Sequence, residues 1–202
     1  MLSVVHFYHL WADGEWTEPV AEHFTALTSA GWTGPIHLGL VGSPENRKAA
    51  FAYLDDCFDE LTVGVAVEAD EGYEHVTLHA LHRYVKRHGG AVMYAHTKGA
   101  HNTAPIEHVW RQYMTRHLVR EWIACRTALE QGYDLAGPCY CAPREAAAYG
   151  FLKPIFGGNY WMATCEYLRS LPPLTRPERH EAEIWVCQNY GKVFSTAPFA
   201  GW

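Results

Sequence analysis

The sequence has few charged residues, and those it has are biased towards acid. Asp, Glu, Lys and Arg make up 19% of its 202 residues, and 16 basic residues stand against 22 acidic ones, a formal net charge of −6. This balance argues against a protein that binds nucleic acid through bulk positive charge, although a local basic patch is compatible with it. The sequence also lacks any apolar run near the roughly 18 residues that span a bilayer, so we expect no membrane span.

Cysteines are few and lack the spacing of a disulfide framework. Six are present, and no two form a Cys-x-x-Cys pair. A chain of this length forms a sufficient core without disulfide bonds. Residues 1–6 contain neither a cationic stretch nor a long apolar one, so they are typical of a strand and not of a signal peptide. We therefore expect reduced thiols and a cytoplasmic protein.

Aromatic residues and histidines, by contrast, are abundant. The chain contains 8 Trp, 12 Tyr and 13 His, and apolar residues make up 49% of it. This composition and length predict one globular domain with an ordinary core. An excess of aromatic rings also suits a site that stacks on sugars or nucleobases.

Strand and helix patterns alternate through the first hundred residues. The pattern predicts strands at residues 4–8, 36–41, 62–67 and 91–95, separated by helices. This order is typical of an α/β protein with a mostly parallel central sheet flanked by helices. Ligands of such sheets bind beyond the carboxyl ends of the strands.

The second half of the chain has a weaker pattern. Apolar residues at helical spacing predict one long helix over residues 106–129, which Gly132 ends. Short strands are predicted near Leu135 and Tyr160, and a last helix over residues 180–189. No internal repeat or low-complexity linker divides the chain, which supports a single domain.

A short polar motif, His96-Thr97-Lys98-Gly99, follows the fourth predicted strand. Lys98 can neutralise a phosphate, while Thr97 and the amide of Gly99 can donate hydrogen bonds to its oxygens. His96 can coordinate a metal ion or donate to a phosphate. The motif therefore indicates a phosphate site, with an ordinary polar loop as the alternative.

A glycine-rich motif, Gly158-Asn159-Tyr160-Trp161, lies in the second half. Glycine permits close backbone approach to a ligand, Asn159 offers donors and an acceptor, and the two rings offer faces for a sugar or base. The alternative is a turn that leads into a core strand.

An acidic motif near the carboxyl terminus contains Glu181 and Glu183. Either carboxylate can act as a general base beside an acceptor hydroxyl. Carboxylates also favour the amino terminus of a helix because of its dipole, so a structural role is the alternative.

Taken in order, these motifs resemble a small glycosyltransferase-like family with a GT-A fold, related to rhamnan-synthesis-type transferases. The similarity covers roughly residues 60–190 and rests on the segments 71–78, 96–99, 110–111, 157–161 and 179–185. It implies one GT-A-like (Rossmann-like) α/β domain over residues 1–202. Residues 1–100 would form its nucleotide-binding half, and residues 101–202 its acceptor and catalytic half.

The resemblance implies an inverting glycosyltransferase that moves a hexose or pentose from a nucleoside diphosphate sugar to an acceptor hydroxyl. The acceptor would be a glycan, a protein or a hydroxylated DNA base, the last being disfavoured by the negative net charge. A noncatalytic nucleotide-sugar-binding module is one alternative. A nucleotidyl or phosphoryl transferase is another, although the chain shows no acidic pair at a strand end to hold its metal ions.

The resemblance also implies a role for each motif. Lys98 would act in catalysis together with a glutamate base, Glu183 or Glu181. The residues that bind the donor would be Tyr8, Trp11, Asp70, His96, Thr97, Lys98, Gly99 and Arg111. The residues that bind the sugar or acceptor would be Gly158, Asn159, Tyr160 and Trp161.

The Asp-x-Asp motif, with which typical GT-A enzymes hold a divalent cation, occurs nowhere in this chain. The motif at residues 96–99 stands in its place. Lys98, aided by Arg111, is therefore expected to stabilise the leaving diphosphate with no required metal ion. A Mn²⁺ or Mg²⁺ ion held by His96 is the competing expectation.

Overall fold

Strands and helices alternate through the first hundred residues, as the sequence pattern predicts. A computed structural model describes residues 1–101, 104–148, 150–175 and 179–199, and only the backbone of residues 179 and 180. The strands are β1 (Val4–Trp11), β2 (Ile36–Val41), β3 (Val63–Ala69), β4 (Ala91–His96), β5 (Leu135–Cys141), β6 (Ile155–Phe156), β7 (Trp161–Thr164) and β8 (Val193–Pro198). The helices are α1 (Thr17–Ser29), α2 (Pro44–Cys57), α3 (His75–Val85), α4 (Pro105–Met114), α5 (Trp122–Glu130), α6 (Pro143–Ala147), α7 (Cys165–Ser170) and α8 (Arg179–Trp185), with a π-helical segment at Thr115–Arg120.

All eight strands join one mixed sheet in the order β3-β2-β1-β4-β7-β5-β6, and β8 pairs with β5. Strands β1 to β4 are parallel to one another, whereas β7 is antiparallel to both β4 and β5. The predicted fold class, a mostly parallel sheet flanked by helices, is therefore confirmed. Because β2 and β4 lie on opposite sides of β1, the strand order reverses there, and a crevice opens beyond the carboxyl ends of β1 and β4.

The core lies on both faces of the sheet because side chains of β1 alternate between them. Tyr8 and Leu10 belong to the apolar layer that includes α1 and the π-helical segment. Phe7 belongs to the opposite layer, with α3, α7 and α8. Within the described residues, no helix is both long and apolar enough to cross a bilayer.

Three boundaries differ from the sequence prediction. Strand β1 continues to Trp11, three residues beyond the predicted end at residue 8, because Trp11 pairs with Val41 of β2. The predicted long helix is interrupted after Met114 by the π-helical segment, whose wider turn buries Thr115, Leu118 and Val119. The last helix ends at Trp185, and β8 follows it unpredicted, since its half-buried residues show no strong alternation.

Part of the histidine excess is structural. His6 and His23 are both buried, and their Nε2 atoms lie 2.8 Å apart, while Nδ1 of His6 donates to the carbonyl oxygen of Met93. Nε2 of His6 therefore accepts the proton of His23. Burial lowers the pKa of His6 to about 4 and the pKa of His23 well below its usual value, so both rings are neutral at pH 7.

Replacement of Gly39 in β2 tests how tightly α3 packs on the sheet. A Cβ atom at this position would overlap the buried hydroxyl of Thr77, so we expect Gly39→Ala to lower the free energy of unfolding by about 1–3 kcal/mol. Gly64→Ala in β3 is the matched control, because nothing lies within 4 Å of its added methyl group. Urea unfolding of both variants measures the difference, and equal midpoints would contradict the described packing.

Candidate functional site

A cleft of about 990 Å³ opens at the carboxyl ends of β1 and β4, where the strand order reverses. Its walls come from the ends of three parallel strands, the connection between β3 and α3, and the segment that follows β4. This is the edge at which the sequence pattern predicts ligand binding. The lining residues are His9, Trp11, Asp13, Val41, residues 70–75, residues 96–99, His101 and Glu107.

The structure brings one group of the predicted donor-binding residues together in this cleft and leaves the others outside. The predicted residues that line it are Trp11, Asp70, His96, Thr97, Lys98 and Gly99. Tyr8, Arg111, the motif at residues 158–161, and the two glutamates of α8 are not among its lining residues.

The segment after β4 is held against β1 by Thr97. The amide of Thr97 donates to the carbonyl oxygen of His9 at 2.9 Å, and its hydroxyl accepts from the amide of Trp11 at 3.0 Å. Gly99 adopts a φ of +88°, which favours glycine. The hydroxyl of Thr97 thus fixes the loop and leaves the neighbouring side chains to face the cleft.

Lys98 is the one lysine among the residues that line the cleft. Its Nζ lies 2.9 Å from Oε2 of Glu107 and 4.1 Å from the centre of the Trp110 ring. The ion pair and the cation–π contact hold the ammonium group in one place. A phosphate that reaches it must compete with the carboxylate of Glu107.

Arg111 supports the loop from outside the cleft, which corrects its predicted place beside a diphosphate. Its side chain is buried, and it donates to the carboxylates of Glu18 and Glu22 and to the carbonyl oxygen of Lys98. The physical reason is that the two glutamates lie one turn apart on α1 and face α4. Nη2 of Arg111 also lies 2.7 Å from Nδ1 of His108.

These contacts of Arg111 exclude a metal ion from the one group of three potential metal ligands found among the described residues. Glu18, Glu22 and His108 place their ligand atoms within 4.8 Å of one another. A single nitrogen of Arg111, however, is hydrogen-bonded to all three. The guanidinium charge stands where a cation would bind.

Tyr8 is a core residue, which corrects its predicted contact with the donor. Its ring is fully buried between His23 and Phe24, and burial raises the pKa of its hydroxyl well above 10. Alternation along β1 sends Tyr8 to the face of α1. Its neighbour His9 takes the opposite face and lines the cleft.

Glu74 was missed as a site residue and lies immediately before α3. Its side chain is 12% exposed, lines the cleft, and accepts hydrogen bonds from the hydroxyl of Tyr94 and from Nδ2 of Asn159. Its Oε1 lies 3.5 Å from Nδ1 of His96. The sequence signal was present, since Glu74 belongs to the segment 71–78 that carries the family resemblance.

The motif at residues 158–161 lies beneath His96, which corrects its prediction as a stacking platform. Asn159, Tyr160 and Trp161 are buried, and none of them lines the cleft. The carbonyl oxygen of Gly158 accepts from Nε2 of His96 at 3.0 Å, and the hydroxyl of Tyr160 donates to the His96 carbonyl at 2.8 Å. Positive φ values at Gly158 (+81°) and Asn159 (+56°) shape this turn.

Besides His96 and His101, the histidines His9 and His75 line the cleft. His9 is the strand neighbour of His96, is 4% exposed, and bonds through Nδ1 to the hydroxyl of Thr77. Burial, reinforced by His96 and His75, lowers the pKa of His9 to about 3. Burial likewise lowers the pKa of His75, so both rings are neutral at pH 7.

The end of the cleft beyond β2 and β3 is acidic and polar. Asp70 is exposed and lies 2.6 Å from Nη1 of Arg47. Asp13, which the sequence analysis did not single out, accepts from Nδ2 of Asn46 and the amide of Ser43, and these bonds lower its pKa. Nearby, the rings of Trp11 and His101 pack with their centres 5.4 Å apart, which places aromatic surface at the cleft.

Glu181 and Glu183 are half-buried on α8, which packs against β6 and α3. Neither lines the cleft. Their prediction as the general base stays a prediction, as does the division into halves at residue 100. The side chains of Arg179 and His180 in the same motif lie outside the described residues.

Among the solved structures that are similar to the chain, two are glycosyl-transferring or glycosyl-synthesising enzymes by name. One is the mannosyltransferase PcManGT from Pyrobaculum calidifontis, in complex with GDP-Man and Mn²⁺, with a TM-score of 0.58 at 12% identity over 99% of this chain. The other is glucosyl-3-phosphoglycerate synthase from Mycobacterium tuberculosis, in complex with Mn²⁺, UDP and phosphoglyceric acid, with a TM-score of 0.50 at 14% identity over 98% of this chain. The chain spans 58% and 69% of their lengths, respectively.

These similarities establish a GT-A-like fold, in agreement with the strand order and the position of the cleft. No curated protein sequence matches the chain. A family model described as a domain of unknown function (DUF8361) matches residues 7–200. The chain therefore belongs to the DUF8361 family.

Proposed function

We propose that the cleft binds a nucleoside diphosphate sugar and that the protein transfers the sugar to an acceptor hydroxyl. The observation that carries this proposal is the convergence of Trp11, Lys98 and His96 at the β1–β4 crevice of a GT-A-like sheet. The two solved structures described above are named as a transferring and a synthesising enzyme in complex with a nucleotide sugar or a nucleotide. A relation to rhamnan-synthesis-type transferases stays a prediction.

In this proposal each wall of the cleft meets a different part of the donor. The aromatic surface of Trp11 and His101 offers a face for the nucleobase. Lys98 and the amide of Gly99, in the segment that follows β4, would meet the diphosphate. The acidic residues Asp70 and Glu71, after β3, offer acceptors for hydroxyl groups of the ribose or sugar.

The reaction exchanges one carbon–oxygen bond for another. The acceptor oxygen attacks the anomeric carbon, the bond from that carbon to the diphosphate breaks, and the diphosphate leaves with the electron pair. A base takes the proton of the acceptor hydroxyl. Positive charge at the diphosphate favours the transition state because negative charge grows on the leaving group.

A donor screen tests the proposal directly. The purified protein is incubated with a panel of nucleoside diphosphate sugars, and both binding and release of free nucleoside diphosphate are followed. We expect one donor to raise the melting temperature, because a ligand that binds the native state stabilises it. The same donor should be hydrolysed slowly without an acceptor. Failure of every donor to bind would overturn the proposal, and binding of an intact donor without turnover would favour a noncatalytic module.

Lys98→Ala tests the diphosphate contact. Loss of one preorganised positive group at a leaving diphosphate is expected to lower donor turnover by about 10²-fold. Lys192→Ala is a matched control, because Lys192 also lies over an aromatic ring, that of Tyr133 at 4.2 Å, and is not part of the cleft. Equal donor turnover in the two variants would show that Lys98 does not stabilise the leaving diphosphate.

Glu181→Gln and Glu183→Gln test the predicted base. If the acceptor approaches along α8, one of these changes should lower transfer by about 10²- to 10⁴-fold and leave donor binding intact. Glu166→Gln on α7 is the control, since this exposed carboxylate also lies in the first turn of a helix. Full turnover in both α8 variants would show that the base lies elsewhere.

A further inference from the structure

A second pocket borders the loop that follows β4. It has a volume of about 550 Å³ and is lined by the start of α1 and by α4, so we call it the α1–α4 pocket. Its lining residues include Glu15, Thr17, Glu18, Ala21, His108 and Arg111. Gly99 lines both this pocket and the cleft described above. The two cavities therefore meet at the same loop.

The ionic groups of the α1–α4 pocket are already paired with one another. Nη2 of Arg111 donates to Oε1 of Glu18 at 3.0 Å, and the Arg111 side chain is only 5% exposed. Nδ1 of His108 lies 2.9 Å from the same oxygen. An anion bound here would meet the carboxylates of Glu15 and Glu18, and a cation would meet the guanidinium group of Arg111. The pocket therefore favours a neutral ligand over a charged one.

Both donors and acceptors are offered to such a ligand. The side chain of Glu18 is 70% exposed, and a carboxylate accepts more hydrogen bonds than the one from Arg111. The hydroxyl of Thr17 donates as well as accepts. Trp16, at the N-cap of α1, supplies no side-chain hydrogen bond to the first turn. The amides of Thr17 and Glu18, which have no partner within the helix, are therefore further donors.

Small apolar groups lie beside these polar ones. Pro19, Ala21 and Ala104 line the same pocket. A sugar carries hydroxyl groups around its rim and C–H groups on its ring faces, so it uses mixed donors and acceptors together with apolar contacts. The volume of the pocket also lies within the range of small-molecule sites, about 300–1,000 Å³. Among neutral ligands, a sugar matches this lining best.

The α1–α4 pocket is joined to the loop that lines the cleft. Nη1 of Arg111 donates to the carbonyl oxygen of Lys98 at 3.2 Å. The amide of Glu15 donates to the carbonyl oxygen of Ala100 at 2.9 Å. The pocket is thus built on the segment whose Lys98 is proposed to meet the diphosphate of the donor.

We infer that the α1–α4 pocket binds the acceptor and that the acceptor is a sugar with a free hydroxyl group. This inference rests on the proposed function, because it needs a donor in the neighbouring cleft. One hydroxyl of the bound sugar loses its proton to a base, and its oxygen takes the transferred glycosyl group as the diphosphate leaves. The products are a longer glycoside and a nucleoside diphosphate.

This acceptor site lies on the α1 side of the sheet. Helix α1 packs in one apolar layer, whereas α8 packs in the layer on the opposite face. A sugar in the α1–α4 pocket would therefore not approach along α8. The inference favours a base other than Glu181 and Glu183.

The test first measures sugar binding without turnover. Backbone amide chemical shifts of the isotope-labelled protein are followed by NMR, in the presence of the nucleoside diphosphate that binds best. The probes are the methyl glycosides of glucose, galactose, mannose and N-acetylglucosamine, with inorganic phosphate and methylammonium as charged probes. We expect a glycoside to shift the amides of Thr17, Ala21 and Gly99 saturably. Shifts at these amides with the charged probes alone would overturn the inference.

Ala21→Trp is designed to fill the pocket, and Ala52→Trp on α2 is the matched control, because Ala52 is exposed and lines neither cavity. Since an indole ring in the pocket displaces the ligand, Ala21→Trp should weaken glycoside binding, and raise the acceptor KM, by about tenfold or more. Thr17→Val should weaken binding by about three- to tenfold, because one hydrogen-bonding hydroxyl is lost. Thr25→Val, at an exposed position further along α1, is its control.

Equal glycoside binding in Ala21→Trp and Ala52→Trp would overturn the inference. Thr17→Val against Thr25→Val gives the same decision if Ala21→Trp fails to fold. Absence of amide shifts with every glycoside, while a nucleoside diphosphate binds in the cleft, would overturn the sugar acceptor site and leave the proposed function standing. Absence of nucleotide binding under all conditions would overturn the proposed function itself.

Discussion

The carboxylate of Glu74, whose side chain is only 12% exposed, is the constraint on which the rest of the site depends. A carboxylate that is almost removed from water must be hydrogen-bonded or paired, because its desolvation is otherwise too costly. Here its partners come from β4 and from the turn before β7. One side chain at the start of α3 therefore fixes the relative positions of three elements at the base of the cleft.

The contacts of Glu74 also fix the position of the loop that follows β4. His96 is held by Glu74 and Gly158 on one side, and Thr97 ties the next residue to β1. Arg111 secures the carbonyl of Lys98 from outside the cleft. With the backbone fixed at these points, the side chains of His96 and Lys98 face the cleft at a small entropic cost on binding. Preorganisation of this kind is what a phosphate or metal site requires.

The parallel sheet, the ligand-binding edge at the carboxyl ends of its strands, and the position of residues 96–99 at that edge could be predicted from the sequence. The alternation of strands and helices and the ends of strands are local properties of the chain. The sequence-based prediction placed Tyr8 in the site and missed His9, since the face that a strand residue takes depends on what packs on each side. It also assigned Arg111 to a phosphate, because the glutamates that neutralise Arg111 lie about 90 residues away in the sequence. Asn159 and Glu74 meet across 85 residues for the same reason. Long-range pairing of polar groups is the part of the site that single-sequence patterns do not encode.

The most direct measurement is a crystal structure of the protein with Mn²⁺ and the nucleoside diphosphate that binds best. The account predicts that the nucleotide occupies the cleft, with its base against Trp11 and its diphosphate against Lys98. A nucleotide bound at another surface, with the β1–β4 cleft empty, would contradict the central claim that this cleft is a nucleotide-sugar site.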